Sequence, residues 1–155
     1  MPERDGQEAL PVSLVWIDSQ TAVHLRWDGA VSLQRIHSEV PPHHHAMGHL
    51  RIDPLTRHGG GGPVEDRVEG ARQEKLRRYL QTVAERIPPG DTVWILGPGT
   101  VGEQLERMIR EDDRRRHRQR EIHTRRAGPM TERQLLATLR ELAGDPPPRG
   151  FPPAG

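Results

Sequence analysis

Between Val64 and Ile109 the hydrophobic positions change period twice. Val64, Val68, Ala71, Leu76, Leu80, Val83 and Ile87 recur at three- to five-residue steps, the spacing that lays one apolar stripe along a helix. Pro88, Pro89 and Gly90 end that pattern, because proline removes a backbone donor and glycine frees the chain to turn. Thr92 to Leu96 is then a short unbroken apolar run rich in branched and aromatic side chains, which suits a strand covered on both faces. Gly97-Pro98-Gly99 breaks the run. Thr100 with Glu103 has the spacing of a capping box for a helix carrying Val101, Leu105, Met108 and Ile109. The stretch predicts a helix, a central strand and a second helix.

Upstream, Val12 to Ile17 reads as a strand ending at the turn-like Asp18-Ser19-Gln20, and Ala22, Val23, Leu25 and Trp27 carry the next. Asp28-Gly29 is a strong hairpin signal, and Val31, Leu33 and Ile36 follow it as a third strand. Downstream, Arg120 to Thr124 reads as a fifth strand. Thr131 with Gln134 forms a second capping-box pattern, flanked by Met130 and Leu135 at the positions of a hydrophobic staple. Leu135, Leu136, Leu139 and Leu142 supply the buried side of a last helix, stopped by Gly144. The order βββαβαβα predicts an α/β domain. A three-strand meander is joined by two strands reached through helices, giving a mixed five-stranded ribonuclease-H-like sheet with helices on both faces. The domain is expected over 12–143, with polar or Pro/Gly-rich tails at 1–11 and 144–155 and a long aperiodic loop at 38–63.

A chain of 155 residues with 32% hydrophobic residues has material for one small core. There is no cysteine, so disulfides, thiolate zinc sites and cysteine nucleophiles are excluded. No apolar segment is long enough for a membrane span or a signal-peptide core, and a cytoplasmic protein without a membrane partner is expected. The net charge of +1 conceals a local imbalance. Arg114, Arg115, Arg116, Arg118, Arg120, Arg125 and Arg126 crowd one neighbourhood, interleaved with Glu111, Asp112, Asp113 and Glu121. Arginines at this density with no aromatic residue among them fit contact with a phosphate backbone rather than base stacking.

The segment Arg57-His58-Gly59-Gly60-Gly61-Gly62-Pro63 precedes a charged helix carrying Arg72, Glu74, Lys75 and Tyr79. It resembles the middle domain of eukaryotic and archaeal peptide-chain release factors, where a His-Gly-x-Gly-Gly-Gln loop precedes a helix of the same character. Val93 to Gly99 and the Met130-Thr131-x-x-Gln134 helix start are also similar to small bacterial translational-machinery proteins related to that domain. The resemblance spans roughly residues 12–142 and rests on the order of elements more than on identity. It implies a ribosome or tRNA partner and an RNA-facing glycine loop. Pro63 stands where the family has the glutamine that works in peptidyl-tRNA hydrolysis, and proline offers neither a side-chain amide nor a backbone N–H. Hydrolysis is therefore not expected, and no cofactor is implied.

Independently of the family, four successive glycines leave main chain free to lie against phosphate, with Arg57 and His58 adding charge; a plain flexible linker is the competing reading. His43, His44, His45 and His49 form an alternative site of another class, a zinc, nickel or copper centre of a metal-binding protein or metal-dependent hydrolase. Gly97 to Gly102 lacks the lysine of a P-loop and the full glycine spacing of a dinucleotide turn, so it reads as a strand-to-helix turn. Asp18 sits where ribonuclease-H-type nucleases place a metal-binding carboxylate, but the adjoining strand end, Gly97-Pro98-Gly99, supplies no second acid. The expected function is RNA-backbone binding on the ribosome or tRNA, without DNA specificity, through Arg57 to Gly62 and through Arg114, Arg115, Arg116, Arg118 and Arg120.

Overall fold

The computed structural model describes residues 11–40 and 54–144, and over 54–66 the backbone alone. Five strands, β1 (Val12–Ile17), β2 (Thr21–Trp27), β3 (Val31–His37), β4 (Thr92–Gly97) and β5 (Ile122–Arg126), form one sheet in the order β3-β2-β1-β4-β5. The meander β1-β2-β3 is antiparallel, while β4 pairs parallel to β1 and β5 parallel to β4. This is the predicted mixed sheet, and its order follows from crossover length. The meander strands are joined by tight turns, and the parallel strands each need a helix to bring the chain back.

Alternation along the strands sorts side chains to the two faces. Val15, Ile17, Ala22, Val93, Ile95 and Ile122 point to one face, against Tyr79, Leu80 and Val83 of α1 (Pro54–Arg86) and Leu105 and Ile109 of α2 (Val101–Arg115). Val12, Leu14, Leu25 and Leu96 point to the other, against Leu135 and Leu139 of α3 (Glu132–Leu142). Two helices therefore cover one face and one short helix the other. Trp94 and Leu96 lie on the α3 side of β4 while Val93 and Ile95 lie on the α1/α2 side, which is why Thr92 to Leu96 reads as an unbroken apolar run.

The turn from β4 into α2 depends on glycine at two places. Gly97 has φ +151° and a Cβ there would overlap the Ile17 carbonyl, so only a residue without one lets β4 end against β1. Gly102 is buried in the first turn of α2, where an added Cβ would stand 3.0 Å from the Ile95 side chain.

Three expectations need correction. First, α1 begins at Pro54, so 54–63 is helix where a loop was expected. Proline at the first helical position lacks only an N–H that would have gone unpaired. Once the downstream stripe has nucleated the helix, extension through glycine costs only about 1 kcal/mol per residue. Second, Thr100 does not cap α2: its backbone (φ −110°, ψ 3°) is not extended and its side chain accepts no capping bond. Its hydroxyl instead accepts from Gln104 Nε2 at 3.2 Å. Third, β5 lies two residues further along the chain than expected, at Ile122–Arg126 instead of 120–124. The Thr131/Gln134 capping box is present with both reciprocal bonds, and Met130 and Leu135 join the same apolar cluster. The histidines His43, His44, His45 and His49 lie outside the described residues.

Candidate nucleic-acid interface

The basic end of the molecule is built by the way α2 stops. The His117 N–H donates to the Arg114 carbonyl at 3.2 Å and the Arg118 N–H to the Asp113 carbonyl at 2.9 Å, the paired bonds of a Schellman motif. His117 takes the left-handed position with φ 55°, usually a glycine site but tolerated by histidine. The chain thereby reverses directly into β5. The reversal leaves an open cleft of about 770 Å³ lined by Arg110, Asp113, Arg114, His117, Arg118 and Gln119.

The five arginines expected to face RNA divide by their partners. Arg120 is buried, its side chain 4% exposed, and its Nε and Nη2 clamp the two Asp113 oxygens at 2.8 Å each. Arg118 donates to Asp113 at 2.8 Å and to Asp112 at 3.1 Å. Arg115 and Arg116 pair with Asp112. Arg114 is exposed, and its side chain makes no hydrogen bond or ion pair among the described residues. Arg110 is held to Glu106 and to the Ile122 carbonyl. Burial alone would raise the Asp113 carboxyl, but hydrogen bonds from Arg120 and Arg118 outweigh it and hold the group below its ordinary value. Asp113 is thus an anchor whose charge is already matched, and the cleft presents Arg114, His117 and the outer side of Arg118. Of the expected patch, Arg114 and Arg118 line this cleft; Arg115 and Arg116 sit in an exposed ion-pair cluster, and Arg120 is structural.

The glycine tract does not join this site as a loop. Gly59 to Gly62 lie inside α1, where each amide is spent on a carbonyl four residues back. Bare main chain is therefore not offered to phosphate there. Asp18 serves a turn: its Oδ1 accepts from the Gln20 and Thr21 N–H groups at 2.8 Å each. Among the described residues no group of three or more histidine and acidic side chains could hold a metal ion.

A second polar constellation escapes sequence reading because its members are scattered. Ser13, His24, Asp91 and Arg26 meet under the ends of β1 and β2. The Ser13 hydroxyl donates to Asp91 Oδ2 at 2.8 Å and lies 2.8 Å from His24 Nε2, while Arg26 grips Asp91 at 2.7 and 2.9 Å. Serine, histidine and aspartate are the residues of a hydrolase triad, but their order here is wrong for one. The hydroxyl spends its only proton on the carboxylate, so His24 must be the neutral donor and cannot act as its base. Ser13 is also fully buried. Burial pushes the His24 imidazole down to about 4 from 6.5. The unfolded chain therefore takes up this proton first, so stability is fully present above about pH 6.5 and is lost as pH falls toward 4. A loss of up to about 3 kcal/mol is expected over that window. It can be followed by urea denaturation at stepped pH. His24→Gln still donates to Ser13 but has no proton to gain, and should flatten the profile; an unchanged profile in this variant would show that other groups cause it.

Sheet order and helix placement define a ribonuclease-H-like α/β domain. Comparison with family models and with curated proteins finds no match to this sequence. Among the described residues no helix is long and apolar enough to cross a membrane.

Proposed function

We propose that this domain binds RNA backbone through the cleft at the α2–β5 reversal, as a ribosome- or tRNA-associated cytoplasmic protein, without peptidyl-tRNA hydrolysis. The observation that carries the reading is the cleft itself, where Arg114 is left without a carboxylate partner beside Arg118 and His117. A cation left unpaired while its neighbours are matched is available to a phosphate. The element order on which the resemblance to the release-factor middle domain rests is the order of the structure, which supports the link to translation. Pro63 in place of glutamine and the helical glycines both count against hydrolysis. Since phosphate contacts release counterions, binding should weaken steeply as salt rises. The test is co-sedimentation with ribosomes across a salt series. The protein should pellet at low ionic strength and be released progressively, whereas protein that stays in the supernatant at every salt concentration would overturn the reading.

A further inference from the structure

The single helix α3 lies over β1 and β2, so the β5 side of that face reaches the surface. There the parallel register sets Trp94 of β4 opposite His123 of β5. Their rings stack with centroids 4.2 Å apart and planes 23° from parallel. The Arg125 guanidinium, two residues on and on the same face, lies 5.0 Å from the Trp94 ring centroid. His123 is 38% exposed and its Nε2 is 2.6 Å from Glu121. Arg125 is exposed, and among the described residues its side chain contacts the indole and pairs with no carboxylate. The edge therefore carries a stacked indole and imidazole with a guanidinium over the indole, paired with no carboxylate, and its exposed members are at the surface.

The geometry points to a site for an unpaired base of single-stranded RNA, which extends the stack on His123 and Arg125 while a flanking phosphate meets the Arg125 charge. The occupant follows from charge and shape together. Planar arginine and imidazole groups accept a base face of any sequence, and an unpaired cation beside them favours a polyanion over a neutral aromatic ligand. A duplex, whose bases are already stacked on each other, cannot use this edge. The inference rests on the RNA-backbone reading and adds a strand preference to it. The two cationic sites flank β5, since Arg110 of the cleft bonds the Ile122 carbonyl at the start of that strand.

The test is fluorescence anisotropy at low salt with three labelled probes: a short oligoadenylate, an RNA duplex and inorganic polyphosphate. Arg125→Lys keeps the charge and removes the planar group, and His123→Ala removes a ring from the exposed side, so neither needs the half-buried Trp94 to change. Each variant should lose about tenfold in affinity for the oligoadenylate while duplex and polyphosphate binding stay within twofold. Equal loss on all three probes, or none on the oligoadenylate, would overturn the base site and leave the backbone reading standing. An unaltered protein that binds none of the probes would overturn both.

Discussion

Asp113→Ala is expected to remove about 3–5 kcal/mol of folding stability, because it leaves Arg120, 4% exposed, with a buried charge and no counterion. For a domain of this size that is a large part of the total. Asp112 provides the control. Its partners Arg115 and Arg116 are mostly exposed, and its third partner Arg118 keeps its bond to Asp113, so Asp112→Ala should cost no more than about 1 kcal/mol. Urea denaturation of the two variants separates these cases. Equal losses would show that the Asp113 clamp is no more than another surface pair. Asp113→Ala should also loosen Arg118 in the cleft, which keeps only its bond to Asp112, while the main-chain carbonyl that closes the reversal after α2 is retained.

Asp91→Ala should be nearly as damaging. Asp91 is 1% exposed and accepts from Ser13 and twice from Arg26, joining β1 and β2 to the entry of β4. Without it the buried Ser13 hydroxyl keeps an acceptor only if His24 changes tautomer, and Arg26 loses its bidentate partner. Arg26 is 25% exposed and also reaches Asp28, so part of its charge can be solvated and the expected loss lies near about 3 kcal/mol. Asp91→Asn keeps the shape and one acceptor, and should fall between the alanine variant and the parent. A loss below about 1 kcal/mol for Asp91→Ala would mean that the network is not a fastening of the sheet. Burial and Arg26 lower the His24 imidazole while Asp91 raises it, so the pH dependence assigned to His24 should be larger in the Asp91→Ala background.

The fold was legible wherever one physical rule acted alone. Asp28-Gly29 makes a hairpin because Gly29 can take φ 104°, and Thr92 to Leu96 is interior because both of its faces find apolar cover. Thr131 caps α3 because its backbone is extended and Gln134 stands three residues on. The same short pattern at Thr100 fails because the Gly97 and Gly99 turn delivers Thr100 with the wrong backbone angles. The start of α1 was missed for a related reason. Local composition in 54–63 disfavours a helix, and the long helical stripe after it overrides that preference.

Site residues were harder to read, because pairing decides what a charge can do. Arg114 and Arg120 look alike in a run of arginines, yet one is exposed and unpaired and the other is locked on Asp113. The difference lies in the helix end, which a histidine in a left-handed position hides from a search for glycine. The Trp94, His123 and Arg125 stack had a weaker signal still. It appears only when β4 and β5 are set side by side in the parallel register that places residue 94 against residue 123.

The central claim, that the α2–β5 reversal is the surface that meets RNA, is tested most directly by comparing Arg114→Ala with Arg115→Ala in oligoribonucleotide binding across a salt series. The two substitutions remove the same charge from adjacent positions, but only Arg114 lines the cleft, while Arg115 pairs with Asp112. The account predicts weaker binding and a salt slope reduced by about 1 for Arg114→Ala, with Arg115→Ala close to the parent. Equal effects from both variants, or no effect from Arg114→Ala, would contradict it.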